Sequence, residues 1–260
     1  MSTVEVLEPG ELAVALGMMA IALGLSVWQQ LGLEGELIIA TGRAIAQLTV
    51  VGYLLEAAFD KRNPWWGVIL VLIIMLTIPA IMARNRISKK IPRLLPVVWA
   101  AILVSTALTL IYTNLLVIRP ERWYEPQYLI SLAGILFGNA MNAAALAGER
   151  LVSTVNTSQI EIETHLCLGA TPEQALAQYR QDAIRAGFIP TLNQIMLVGV
   201  VTLPGTFTGQ MLGGVSPLVA ASYQLLIIFM LALTTLVTVV IVTHGLCRQF
   251  FNQFAQLQKF

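Results

Sequence analysis

The chain has 260 residues, of which 57% are hydrophobic and 11% charged, with a mean hydropathy of +0.77 and a net charge of +1. A soluble domain carries about 25% charged residues, so a water-facing surface cannot be covered here and the composition is that of an integral membrane protein. The near-neutral charge implies no strongly basic or acidic partner. The two cysteines, Cys167 and Cys247, are too far apart in sequence to form a metal or redox motif.

The start, "MSTVEVLEPGE", is acidic and lacks the basic n-region and cleavage site of a signal peptide, so the first apolar segment is expected to be retained. About 20 apolar residues cross a bilayer as a helix. On that basis the chain is read as an all-α, polytopic single domain over 1–260, with spans at 11–29, 36–58, 65–83, 94–118, 127–147, 188–211 and 217–244, about seven in all.

In the second span, Arg43 lies in "TGRAIAQL", with Gln47 one turn on along the same face. An ionisable group at membrane depth faces a protein cavity or snorkels to the headgroups, and both readings fit Arg43. Glu56 falls near the outer end of this span. The loop after the third span holds Arg84, Arg86, Lys89, Lys90 and Arg93, which places it in the cytoplasm. Alternation then puts the N-terminus outside, and the 149–187 segment and the C-terminus inside.

The fifth span contains "GNAMNAAALAG". Asn139 and Asn142 sit among small residues, suited either to helix–helix hydrogen bonds or to substrate contact, and Gly134 and Gly138 form a GxxxG. In the sixth span, Gly205, Gly209 and Gly213 repeat that spacing and predict a close-packed helix face. Pro204 predicts a kink. Thr206, Thr208 and Gln210 beside it suit exposed backbone along a pathway, with a packing kink as the alternative.

Between these spans lies a polar stretch. "ERLVSTVNTSQIEIETHLCL" (149–168) predicts a helix continuing from the fifth span, stopped by Gly169, which takes the left-handed conformation without penalty. Thr171 with Gln174 three residues on is a capping box, and Pro172 occupies the first helical position. A second helix is predicted from 172 toward Gly187. Five carboxylates (Glu149, Glu161, Glu163, Glu173, Asp182) outnumber three arginines (Arg150, Arg180, Arg185), which excludes a nucleic-acid-binding helix-turn-helix. The rigid, small-tipped hairpin suits insertion into a groove on another protein, or is a stiff loop without a partner. In the tail over 245–260, Leu246, Phe250, Phe254 and Leu257 recur at helical spacing, which predicts an interfacial helix.

His165 and Cys167 form an isolated pair, short of a metal site. No G-x-x-x-x-G-K-[ST] occurs, so the chain has no P-loop of its own.

"LGATPEQA…RQDAIRAGFIPTLNQ" and "VGVVTLPGTFTGQMLGGVSPLVAASYQ", with "GRAIAQLTVVGYLLEAAF" and "GNAMNAAALAGERL", together resemble the FetB-type family of ABC transporter permeases, from about residue 36 to 245. These are bacterial proteins linked to iron export, with plant relatives tied to aluminium tolerance. The resemblance implies a non-enzymatic permease in the cell (inner) membrane, two copies of which pair with two separate ATPase subunits. ATP and Mg would be bound by those partners, and no cofactor by this chain. The Gly169-Ala170-Thr171 knuckle resembles the loop by which ABC permeases dock onto their ATPases. Glu163 stands where such loops often carry a glutamate, and Pro172, Arg180 and Arg185 complete the expected coupling set in the 163–187 hairpin. The family often has a Met-Met pair after the Pro-Gly of the sixth span. This chain has Thr206 and Phe207 there, which removes soft thioether ligands from that position. The expected pathway residues are Arg43, Gln47, Asn139, Asn142, Thr208 and Gln210. A guanidinium at Arg43 repels a bare cation and suits a chelated metal or an anionic conjugate. An ATP-independent transporter or channel, or a non-transporting scaffold, are the other classes the sequence admits.

Overall fold

In the computed structural model, residues 9–58, 65–119, 126–252 and 256–258 are described. They form ten α-helices: α1 (Pro9–Trp28), α2 (Glu34–Ala58), α3 (Trp65–Ile87), α4 (Leu94–Tyr112), α5 (Pro126–Thr157), α6 (Gln159–Cys167), α7 (Pro172–Ala175), α8 (Ala177–Leu197), α9 (Gly205–Leu212) and α10 (Pro217–Gln249). A π-helical stretch, Thr113–Ile118, extends α4. The protein is all-α, as its composition requires.

The chain divides into two compact units, Met1–Asn63 with Leu212–Gly214, and Pro64–Met211 with Val215–Phe260. In the first, α1 and α2 form a helical hairpin. The buried Ser26 hydroxyl at the end of α1 donates to the Glu34 carboxylate that opens α2, at 3.0 Å. Most other side chains of both helices, Met18, Ile21, Ile39 and Leu48 among them, are exposed.

The second unit is a bundle in which α10 packs on α4, α5 and α8, and α5 packs on α3, α4 and α8. Its core comes from one stripe of each helix. On α10 the stripe runs through Ile227, Leu231, Thr234, Thr238, Val242 and Leu246 at helical spacing. The outward faces are also apolar: Ile73, Ile74, Leu108, Ile111, Leu225 and Phe229 are all exposed. Apolar surface inside and out is the arrangement of a bundle whose solvent is lipid.

Two features tie the bundle together. Between α4 and α10 runs a buried hydroxyl seam, in which Ser105 Oγ and Thr238 Oγ1 share a hydrogen bond of 2.7 Å and Thr234 Oγ1 donates to Thr109 Oγ1 at 2.8 Å. In lipid such bonds join helices that gain little from hydrophobic association. Close approaches at glycine are the second feature. A Cβ at Gly148 on α5 would lie 2.5 Å from Ile87 on α3, and one at Gly245 on α10 would overlap Val97 on α4.

Among the described residues, four helices are long and apolar enough to cross a membrane: Trp65–Ile87, Leu94–Ile118, Tyr128–Thr157 and Pro217–Gln249. Three predicted spans fall elsewhere, on α1, on α2 and on α8 with α9. The sixth, 188–211, is not one helix. It comprises the end of α8, a non-helical segment at 198–204, and α9. Gly199 takes a φ of +80°, and Pro204 has no N–H to continue a helical ladder. The predicted kink at Pro204 is therefore a full break. Part of its backbone bonds locally: the Leu197 carbonyl accepts from Val201 and Thr202, and Gly199 N–H donates to the Thr202 carbonyl at 3.0 Å.

Two further expectations are corrected. The helix begun after the knuckle does not stop at Gly187; α8 runs through it and through Pro190 to Leu197. Gly187 is buried against α5 and α10, so its missing side chain serves a close approach. The tail is not a continuous helix either. α10 ends at Gln249, and Phe251 and Leu257 form an isolated antiparallel bridge. Leu246 and Phe250 are buried in the bundle core, so the apolar stripe is spent inside the protein. Phe254 lies outside the described residues.

Candidate functional site

Two places in the second unit concentrate polar groups: the hairpin between α5 and α8, and a cavity between α5, α9 and α10.

The hairpin is built by local signals that all point one way. α6 follows α5 after a bend at Ser158 and ends at Cys167. Gly169 then takes a φ of +91°. Its N–H donates to the Leu166 carbonyl and the Ala170 N–H to the His165 carbonyl, both at 3.0 Å, which is a complete Schellman closure. Thr171 opens the next helix: Gln174 N–H donates to its hydroxyl at 3.3 Å, and its own N–H donates to Gln174 Oε1 at 2.9 Å. Thus a helix stop and a helix start are fused across three residues.

Ile162, Ala175 and Leu176 are buried in the bundle core and anchor the hairpin. Ile160 and Leu168 point the other way and are 83% and 80% exposed. Glu163, Gly169 and Thr171 are exposed with them, and Ala170 and Pro172 are partly covered. At the base, burial pushes the Tyr179 hydroxyl above its ordinary pKa, helped by its hydrogen bond to the Glu161 carboxylate. Arg185 pairs with Asp182 at 3.8 Å on the surface. Arg180 turns to the end of α10, where it donates to His244 Nε2 at 3.3 Å.

The cavity has a volume of about 590 Å³. Its walls are largely apolar, with Ser131 from α5, Thr206 and Gln210 from α9, and the rings of Tyr128 and Tyr223 supplying the polar edges. Thr206 donates to Gln224 Oε1 on α10, a buried amide. The Gln210 side-chain oxygen is buried and has no hydrogen-bond partner among the described residues. Gly205 and Gly209 line this cavity as well. A Cβ on either would meet nothing within 4 Å, and Gly213 lies beyond the end of α9. Among the described residues, Gly205 and Gly209 therefore do not make the close-packed face expected of them and border open space instead.

Of the six expected pathway residues, the structure brings one, Gln210, to the cavity. Asn139 is partly buried and donates to the Ile135 carbonyl of its own helix at 2.9 Å, and Asn142 is exposed. Thr208 is exposed and donates to the Pro204 carbonyl. Arg43 and Gln47 share an exposed face of α2 in the first unit. The Glu56 side chain lies outside the described residues. Sequence reasoning missed Gln224, although a lone amide in "AASYQLLIIFML" is a readable signal. Among the described residues, no three His, Cys, Asp or Glu side chains converge as metal ligands. The cavity offers neutral hydroxyl, amide and aromatic groups.

A family model described as an uncharacterised protein family, UPF0014, matches residues 9–251. The chain belongs to the UPF0014 family. It is 52% identical over 242 residues to a UPF0014 membrane protein of Synechocystis, covering 93% of both chains. It is 34% identical over 246 residues to the probable iron export permease protein FetB of Escherichia coli, covering 95% of this chain and 93% of that one. It is equally identical, over 246 residues, to the protein ALUMINUM SENSITIVE 3 of Arabidopsis thaliana, covering 95% and 88%. No solved structure matches it. The chain's relatives thus include a membrane protein of the same family, a probable iron export permease protein and a protein named for aluminium sensitivity.

Proposed function

We propose that this chain is the permease subunit of an ATP-driven ABC exporter for iron or another metal, carried as a chelate or conjugate. A separate ATPase binds ATP and Mg and docks on the 163–187 hairpin, and the working assembly has two permeases and two ATPases in the cell membrane. The observation that carries the reading is the hairpin itself. A Schellman closure and a capping box stiffen a tip that exposes Leu168; Ile160 and Glu163 are exposed along the α6 arm, and Ile162 and Leu176 root the hairpin in the core. A push on such a tip moves α8 as a rigid body, and α8 leads directly to the broken segment beside the cavity. The cavity's neutral lining suits a metal already carrying its own ligands better than a naked cation, which needs charged or closely ligating oxygen, nitrogen or sulfur groups.

The test is affinity purification from the native membrane, followed by reconstitution. A P-loop ATPase should co-purify, and inside-out vesicles should accumulate the metal complex only with ATP. Transport by the chain alone in ATP-free vesicles would favour a secondary transporter and end the ABC reading.

A further inference from the structure

Where α10 ends, two hollows share the side chains of His244 and Arg248. One, of about 300 Å³, is polar: Arg180 and Glu173 of the hairpin face His244, Cys247, Arg248 and Asn252 across it. The other, of about 360 Å³, is an apolar groove between α4 and α10, walled by Val97, Ala100, Val240, Ile241 and Gly245. Gly245 is what lets α4 and α10 close tightly behind this groove, since a Cβ there would overlap Val97.

We infer that these two hollows form one binding site for an anionic phospholipid, with the phosphate held between Arg180 and Arg248 and an acyl chain lying along the α4–α10 groove. Charge complementarity decides the headgroup: the polar hollow is lined by two guanidiniums and one carboxylate. Guanidinium binds phosphate through paired N–H donors. Arg180 already spends one donor on His244 Nε2, at 3.3 Å, and this contact holds the guanidinium at the mouth of the groove. Length decides the tail. From Arg248 to Val240 the helix descends about 12 Å at 1.5 Å per residue. That distance approaches the roughly 15 Å of one leaflet, half of a 30 Å hydrocarbon core. A free phosphate would fill the polar hollow and leave the groove bare, whereas a lipid fills both. The site joins the hairpin to α4 and α10, so its occupant braces the hairpin against the bundle. The inference rests on the bundle alone and stands whether or not an ATPase docks.

The delipidated full-length chain is titrated in detergent with dioleoyl phosphatidylglycerol or dioleoyl phosphatidylcholine, and bound lipid is counted by native mass spectrometry. Phosphatidylglycerol should bind at least tenfold more tightly than phosphatidylcholine and raise the melting temperature. The double variant Arg180→Gln/Arg248→Gln should lose that preference. Ala100→Trp, at an exposed groove position, should weaken binding of the same lipid at least tenfold with both arginines intact, while Lys89→Gln/Lys90→Gln should leave it unchanged. Equal retention by the arginine pair overturns the site. Full displacement of the lipid by millimolar inorganic phosphate, or no effect of Ala100→Trp, overturns the lipid as occupant.

Discussion

Gly187 on α8 lies so close to Ala143 on α5 that a Cβ built on it would stand 2.8 Å from the Ala143 carbonyl oxygen, with Ala147 Cβ also at 2.8 Å and Val239 Cγ1 of α10 at 2.9 Å. Three helices meet at this point, and the contact includes backbone, which cannot rotate away. Gly187→Ala should therefore destabilise the bundle by about 1–3 kcal/mol, as overpacking does, despite alanine's better helix propensity. Gly138→Ala is the control, since nothing lies within 4 Å of its Cβ. Melting of both variants in the same detergent checks this; equal melting temperatures would remove the close approach as a constraint.

The hairpin tip yields a second expectation. Thr171→Ala removes the hydroxyl that accepts from Gln174 N–H and should cost about 1 kcal/mol locally. Hydrogen exchange should quicken at residues 171–176 and stay unchanged in α10. Gly169→Asp places a side chain on a φ of +91° at an open position, so the strain is about 1 kcal/mol and the bundle stays folded. Under the proposed function, ATPase stimulation by the permease should nevertheless fall. Normal stimulation by a stably folded Gly169→Asp protein would take the tip out of the coupling path.

The hairpin was legible in the sequence because caps are local: Gly169, Thr171, Pro172 and Gln174 act within one turn of each other. Gly187 was misread for a physical reason. Glycine both ends helices and admits close neighbours, and only the positions of α5 and α10 decide between the two. The break at 198–204 escaped a hydropathy reading because Val198, Val200, Val201 and Leu203 are as apolar as any helix. Its cause is the conjunction of Gly199 and Pro204. The tail's helical stripe was real in spacing, but Leu246 and Phe250 found partners in the core before a helix could lie on the membrane. In the cavity, Gln210 was legible as a polar group in a span, while its relation to Thr206 and Gln224 depends on where α9 lands against α10.

The α4–α10 hydroxyl seam invites a double-mutant cycle. Thr109→Val and Thr234→Val each remove one hydroxyl at nearly constant volume. Their coupling energy should be about 0.6 kcal/mol, the average for interhelical hydrogen bonds in membrane bundles. A coupling near zero for Thr109 and Thr234 would mean that each hydroxyl is satisfied equally well by its own helix.

Gln210 separates stability from function. Its side-chain oxygen is buried in the wall of the cavity without a hydrogen-bond partner among the described residues, a condition that costs about 1–3 kcal/mol. Gln210→Met keeps the length and most of the volume and removes the unpaired acceptor. The folded protein should therefore melt at the same temperature or higher. Under the proposed function the same change removes a polar contact from the cargo cavity, so ATP-driven export should fall by about tenfold or more, the equivalent of about 1.4 kcal/mol. Gln224→Met should behave in the opposite way on stability: Gln224 accepts from Thr206, so its loss strands a hydroxyl and lowers the melting temperature. If Gln210→Met melts lower and exports normally, the amide is structural and the cavity between α5, α9 and α10 is not the path the cargo takes.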